Sequence, residues 1–164
     1  LDGAAASACT APKAVTGLSR ATHVFTVAAT AASQTDPTPA RAVTTVPVDD
    51  TALKIKGRKW KRKSSAGAYL GTVTQTKTKG AVLSYQVTNA RSFALVVSTG
   101  KNYGKVKVYL NGVFLKKVKL KGPAQKRKVV DLGTLLNPTS GKLTIVTKNK
   151  KLVRIEGLGV ATTL

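Results

Sequence analysis

Apolar and polar residues alternate with a period of two along most of this chain. The alternation is clearest in HVFTVAAT from His23, AVLSYQV from Ala81, KVKVYL from Lys105 and KLTIVT from Lys142. A period of two sends successive side chains to opposite faces of a strand. No sustained 3.6-residue apolar period, the mark of an amphipathic helix, occurs. Gly, Asn and Pro interrupt the runs at Gly80, 102–104, Asn111-Gly112, Gly122-Pro123 and 137–141, where their backbone preferences favour turns. From Asp49 onward the series runs through a basic segment at 54–63, YLGTVTQT from Tyr69, AVLSYQV, SFALVVST from Ser92, KVKVYLNGVFLKKVKL, VVDLGTLL from Val129, KLTIVT and a closing VRIEGLGV. Eight or nine short strands follow from that pattern, a number typical of jelly-roll sandwiches. The expected fold class is all-β.

One hairpin can be read in detail. Asn111-Gly112 predicts a two-residue type I′ turn, because both residues accept a positive φ. That turn pairs Leu110 with Val113 and Val108 with Leu115. Carried further, the same register sets Lys117 opposite Val106 on the apolar side, so a β-bulge at Lys116-Lys117 is expected to restore the phase. The opposite face then gathers Lys105, Lys107 and Lys119. Like charges facing each other across a ladder cost some tenths of a kcal/mol each, so screening or a bound anion must offset them.

Charge divides the chain in two. It carries 28 Lys+Arg against 6 Asp+Glu, a net +22. Residues 1–48 account for +1 and residues 49–164 for +21, which suggests two modules with a boundary near 48. The second is long enough for a core, and the first is marginal alone. Lys far outnumbers Arg, and the few aromatics make no stacking platform, so specific nucleic-acid reading is not expected. No run approaches the ~20 apolar residues of a membrane span. The carboxylates are scattered: Asp49 and Asp50 read as linker residues, while Asp131 and Glu156 lie far apart, so no acid/base pair and no enzyme activity are expected. No zinc spacing or Asp-x-Asp calcium loop occurs, and no cofactor is expected.

Residues 1–48 contain Leu1-Asp2-Gly3, Cys9, Gly17-Leu18, His23-Val24-Phe25-Thr26-Val27 and Asp36-Pro37-Thr38-Pro39. In that order and spacing they resemble the C-terminal half of a bacterial immunoglobulin-like repeat found in tandem on secreted actinobacterial proteins. The resemblance implies that Cys9 pairs with a cysteine just before the Leu-Asp-Gly turn, so the chain is read as the tail of a longer secreted protein; a free buried thiol is the other reading. It also implies that His23 is a strand residue rather than a catalytic one.

Trp60, Ser64-Ser65, Gly71-Thr72, Gly80-Ala81, 104–112, 141–145 and Glu156 follow the order of the jelly-roll modules appended to secreted glycoside hydrolases and wall-associated proteins. This second resemblance implies a galactose-binding-like module. It departs from the pattern at Asn111, where Asp is usual, and at the missing His before Leu143. It admits a structural Ca²⁺ held through Glu156 or Asp50. Trp60 and Tyr69 have two readings: an apolar platform under a sugar ring, or core residues closing an edge. Basic neighbours on both sides of Trp60, pointing outward around an inward ring, favour the core.

The expected architecture is thus a truncated immunoglobulin-like half-sandwich (1–48) followed by a basic jelly roll (49–164). The expected function is non-catalytic attachment of a secreted, wall-associated protein to a glycan or an anionic wall polymer, with Trp60, Tyr69, Lys105, Lys107 and Lys119 as candidate contacts. Two alternatives stand beside it. One is a surface-assembly subunit that self-associates through exposed strand edges. The other is an accessory tail of an upstream hydrolase.

Overall fold

The structure is a computed structural model that describes residues 1–31, 34–57 and 59–162. Arg58, one of the basic neighbours of Trp60, lies outside the described residues. The first strands are β1 (Thr22–Val27), the two-residue β2 (Thr30–Ala31) and β3 (Gln34–Thr35), and β4 (Ala40–Thr45). β1 and β4 form an antiparallel ribbon with Thr22 opposite Thr45 and Val27 opposite Ala40. Among the described residues none of the buried apolar side chains precedes Leu53, so the ribbon shows no core of its own. It is tied to the rest by hydrogen bonds at Thr22: the Thr162 amide donates to Thr22 Oγ1 (3.1 Å), which in turn donates to the Val160 carbonyl (3.5 Å).

The body follows as β5 (Val48–Asp49), a 3-10 turn at Asp50–Ala52, β6 (Lys54–Lys56), β7 (Lys61–Ser64), a second 3-10 turn at Tyr69–Gly71, β8 (Thr72–Thr76), β9 (Val82–Thr99), β10 (Lys105–Leu110), β11 (Val113–Lys119), β12 (Gln125–Thr147) and β13 (Val153–Ala161). β5 pairs with β13, Asp49 lying opposite Gly157, so the expected boundary falls inside a strand of the body's edge. AVLSYQV and SFALVVST are halves of one long strand, β9, and the expected turn at 137–141 is a bend within β12. The body strands β5–β13 are one hydrogen-bonded nine-stranded sheet folded into two layers, each called a sheet below, and both long strands pass through both. Their 82–87 and 141–146 parts belong to a sheet ordered β6-β9-β12-β10-β11. Their 92–99 and 125–134 parts belong to a second, ordered β7-β8-β13-β9-β12. Register shifts and positive φ at Gly133 (115°) and Gly141 (146°) mark the bend of β12, as bulges do where a strand changes sheets.

Inward-facing residues from both layers meet in one core. Leu83, Val106, Val108, Leu143 and Ile145 come from the first sheet; Leu95, Val97, Val153, Ile155 and Leu158 from the second. Each such fully buried aliphatic side chain contributes about 1.5–3 kcal/mol. Strict period-two burial in β10, with Val106, Val108 and Leu110 inside, is what fixes which face of that strand looks outward.

The hairpin turn forms as expected: Asn111 has φ 49° and Gly112 φ 83°. The bulge lies earlier than expected. Tyr109 pairs with Phe114 and Val108 with Lys116, so Leu115 is the extra residue rather than Lys116-Lys117. Asn111 also staples the hairpin tip to the β12 bend. Its Oδ1 accepts the Lys142 amide (2.8 Å) and its Nδ2 donates to the Ser140 carbonyl (3.1 Å). An aspartate lacks that donor, which accounts for Asn here. Gly141 is required beside it, because a Cβ there would sit 1.9 Å from Asn111 Oδ1.

Candidate functional site

The outward face of the first sheet is rich in lysine around a strip of uncharged residues. Because Val106, Val108 and Leu110 point inward, Lys105, Lys107 and Tyr109 point out. Lys119 lies opposite Lys105, Lys117 opposite Lys107 and Phe114 opposite Tyr109. Directly opposed residues share a face, so the pairings Lys107–Val146 and Tyr109–Thr144, then Val146–Val82 and Thr144–Ser84, then Val82–Lys56 and Ser84–Lys54 extend the same face across five strands. Lys142, two residues from Thr144, completes a set of seven lysines. Strands lie about 4.8 Å apart, so Lys54 and Lys56 stand about 14 Å from β10, with Val82, Ser84, Thr144 and Val146 between. This strip of uncharged side chains, with lysines on the strands to either side and Lys142 on β12, is called the trough below.

Tyr109 and Phe114 form an edge-to-face pair with centroids 5.8 Å apart at 66°, and Lys107 Nζ sits 5.3 Å over the Phe114 ring. Phe114 is half exposed. The pair places a partly exposed aromatic cluster at one end of the lysine-bearing face. Among the described residues of 49–164 no carboxylate lies within ion-pair distance of any of these lysines.

The expected site residues therefore divide. Lys105, Lys107 and Lys119 lie together on this face. Trp60 does not: its ring is in the core at 4% exposure, and its Nε1 has no hydrogen-bond partner. The core is where Trp60 sits, and a sugar cannot stack on it. Tyr69 is half-buried over Gly157, with its hydroxyl bonded to the Pro47 carbonyl, and burial pushes that hydroxyl's pKa up. The β7–β8 pairing runs from Lys61–Gln75 to Ser64–Thr72, so Trp60 and Tyr69 flank opposite ends of one hairpin and share no platform. Lys54, Lys56, Lys117 and Lys142 were not among the expected contacts. The alternation KIK at 54–56 is the signal that points to the first two.

Asp49 and Asp50 are not linker residues. Both are buried, Asp50 fully. Asp50 accepts from Thr72 Oγ1 (2.5 Å) on one oxygen and Thr74 Oγ1 (2.6 Å) on the other. Burial, with the neighbouring Asp49 charge, holds its carboxyl above the usual carboxylate range, while the two hydroxyls pull it back down. Glu156 is the extra residue of a bulge in β13 and is fully buried. It accepts from Ser98 Oγ (2.6 Å), the Tyr69 amide (2.8 Å) and the Arg127 amide (3.1 Å). It thereby ties the 65–71 loop and β12 to β13. These contacts decide the Ca²⁺ question: N–H and O–H donors occupy the oxygens of both Glu156 and Asp50, whereas Ca²⁺ takes six to eight oxygen ligands. No cluster of three metal-ligating side chains exists among the described residues. These residues do not fit Ca²⁺.

His23 is a strand residue in β1. Its Nδ1 meets Asp2 Oδ2 at 2.7 Å and its Nε2 faces the Ser19 carbonyl at 2.9 Å. The Val24 amide also donates to Asp2 (2.8 Å), so Asp2 closes the N-terminal segment onto the ribbon. Cys9 is exposed, which removes the buried-thiol reading. No helix among the described residues is long and apolar enough to cross a membrane.

No known protein family and no curated relative matches this chain. Solved structures do resemble it. A Paenibacillus xanthan lyase superposes with TM-score 0.59 at 12% identity, over 71% of this chain and 13% of that one; the chain thus spans a small part of that enzyme. The CBM36-1 domain of a multidomain xylanase from the hindgut metagenome of Trinervitermes trinervoides gives 0.55 at 9% identity, over 70% and 94%. CsCBM6-3 from Clostridium stercorarium, solved with cellobiose, gives 0.53 at 12% identity, over 71% and 93%. At these identities the likeness is one of fold: the chain has the jelly-roll sandwich found in carbohydrate-binding modules.

Proposed function

We propose that residues 49–164 form a non-catalytic glycan-binding module whose ligand is an anionic glycan or wall polymer lying along the lysine trough. The observation that carries this reading is the set of seven lysines on one sheet face with no carboxylate among the described residues within ion-pair distance of them. A flexible polyanion relieves their mutual repulsion and suits the diffuse charge of lysine better than a site needing bidentate geometry. The Tyr109–Phe114 pair supplies a surface for the apolar face of a sugar ring. The jelly-roll likeness to CsCBM6-3 and CBM36-1 supports the glycan part of the reading. The immunoglobulin-like resemblance of residues 1–48 supports export to an actinobacterial wall, where the module would hold a larger protein in place.

Self-assembly through strand edges is the weaker reading. Lys116, Lys117 and Lys119 line the outer strand β11, and lysine is what keeps an open edge from pairing with another chain.

Retention on immobilised polyuronate and on a neutral β-glucan, measured from low salt to about 0.5 M, tests the proposal, because the Debye length then falls well below 10 Å. We expect retention on the polyuronate that weakens with salt yet exceeds that of the Lys105→Gln/Lys107→Gln/Lys119→Gln variant at every salt concentration. Equal retention of the variant and the native chain would sink the trough as the site.

A further inference from the structure

A second basic feature lies away from the trough, and it is a cleft rather than a face. Lys59, Lys61 and Lys77 surround a cavity of about 270 Å³, with Gln75 and Thr78 on its wall and Leu152 as its apolar side. It sits at the β7–β8 edge of the second sheet, whereas Lys105, Lys107 and Lys119 occupy the opposite, β10–β11 edge of the first. We propose that this cleft binds a single anionic sugar residue, one ring bearing a carboxylate, phosphate or sulfate. The proposal deepens the glycan-binding reading and rests on it for the nature of the ligand.

The lining chemistry is one-sided. Three ammonium groups can only donate hydrogen bonds. Gln75 turns its Oε1 to Arg154 Nε (2.8 Å), which leaves its NH₂ as the end able to donate and brings a guanidinium up behind it. None of the six carboxylates of the chain lines the cleft. A site made of donors complements a ligand group made of acceptors, and charge-assisted bonds of this kind are about twice as strong as neutral ones. Leu152 offers the contact that the C–H face of a sugar ring needs, and the volume suits one ring rather than a chain.

The frame is held in place before any ligand arrives. Thr76 Oγ1 donates to the Lys59 carbonyl (2.5 Å) and accepts the Thr78 amide (3.0 Å). The Thr78 carbonyl in turn accepts Thr147 Oγ1 (2.5 Å). One threonine thus fixes the segments that carry Lys59 and Lys77 relative to each other, which lowers the ordering cost of binding.

Amide chemical-shift titration of the full chain with glucuronic acid, glucose 6-phosphate, inorganic phosphate and glucose tests this. We expect saturable shifts confined to residues 59–61, 75–78 and 152. Glucuronic acid or glucose 6-phosphate should bind more tightly than inorganic phosphate, with no response to glucose; which of the two sugars wins separates a uronate from a phosphorylated residue. Lys61→Gln/Lys77→Gln should weaken binding about tenfold or more, the effect of about 1.4 kcal/mol, and Lys105→Gln/Lys107→Gln should not. Shifts spread over the trough lysines to the same extent, a glucose response equal to that of glucuronic acid, inorganic phosphate binding as well as either sugar, or an unaffected double variant would each overturn the cleft. Polymer retention by the trough is scored separately, so loss of one reading leaves a distinct record from loss of the other.

Discussion

The trough and the buried carboxylates treat charge in opposite ways. On the first sheet, seven lysines stand in the open with like charges opposed, Lys105 to Lys119 and Lys107 to Lys117. Within the body, three of its four carboxylates, Asp49, Asp50 and Glu156, are buried and held by hydroxyls and amides rather than by cations. The acids therefore act as internal hydrogen-bond acceptors, and almost none of the +21 charge is cancelled at the surface. Removing an acid should weaken the fold, and removing trough lysines should strengthen it while weakening binding.

The largest effect belongs to Glu156. Its truncation to Ala leaves Ser98 Oγ and the amides of Tyr69 and Arg127 without their acceptor, and an unsatisfied buried donor costs about 1–3 kcal/mol. We expect Glu156→Ala to lose about 4 kcal/mol in urea unfolding, with Glu156→Gln losing less because one carbonyl oxygen remains. Chelator should not reproduce the loss, since no cation is needed to hold this carboxylate. A chelator-induced fall in the unfolding midpoint comparable to that of the Ala variant would reverse the assignment.

Asp50 comes next. Asp50→Ala should lose about 2 kcal/mol by stranding the Thr72 and Thr74 hydroxyls. Its pH behaviour follows from the raised folded pKa. Burial makes the folded state bind the proton more tightly than the unfolded chain does, so this group's contribution is fully present below pH 3.8 and is lost as pH rises through the folded value. The stability of the native chain relative to Asp50→Asn should accordingly improve as pH is lowered. A difference that shrinks on acidification contradicts the sign.

These contrasts show what a sequence makes legible. The β10–β11 hairpin can be read because alternation and the Asn111-Gly112 turn are local. Its bulge is misplaced by a step because the edge-to-face contact of Tyr109 with Phe114 holds the register until after Phe114, and only then can Leu115 slip out of phase. Lys105, Lys107 and Lys119 come from one hairpin and are visible together. Lys142 joins them only through the pairing of β12 with β10, and Lys54 and Lys56 only through that pairing together with those of β9 with β12 and β6 with β9, none of which any local pattern encodes. Asp49-Asp50 reads as linker because a polar dipeptide after a proline looks solvated; its partners Thr72 and Thr74 are more than twenty residues away. Nor does period two distinguish a turn from a bend in a strand that continues, which is why β9 and β12 read as two strands each.

The lysine side of the contrast gives a smaller, opposite effect. Like charges directly opposed on a ladder cost some tenths of a kcal/mol each, so Lys105→Gln/Lys107→Gln/Lys119→Gln should be more stable than the native chain by about 0.5–1 kcal/mol at low salt. The gain should shrink in salt, and a polyanion should stabilise the native chain more than the variant. A variant less stable than the native chain would mean that the lysine stems, packed on Phe114 and the small-residue strip, matter more than their charge.

The smallest effect is local and lies outside the body. His23 is held above its ordinary pKa, first by its hydrogen bond to Asp2 and then by the Ser19 carbonyl. Asp2 is held below its own by the bonds from His23 and the Val24 amide. The histidine's contribution is fully present below pH 6.5 and lost as pH rises through the folded value; the aspartate's is present above pH 3.8 and lost as pH falls through its folded value. Closure of the N-terminal segment onto β1 should therefore be firmest between pH 3.8 and 6.5. Amide exchange at Val24, whose N–H is capped by Asp2, reports this directly, after correction for the intrinsic pH dependence of exchange. Protection should fall on either side of that window, and Asp2→Asn should flatten the profile. The global unfolding midpoint should stay where it is, because no core residue depends on the ribbon; a midpoint that tracks the Val24 profile would show the ribbon and the sandwich unfolding as one unit.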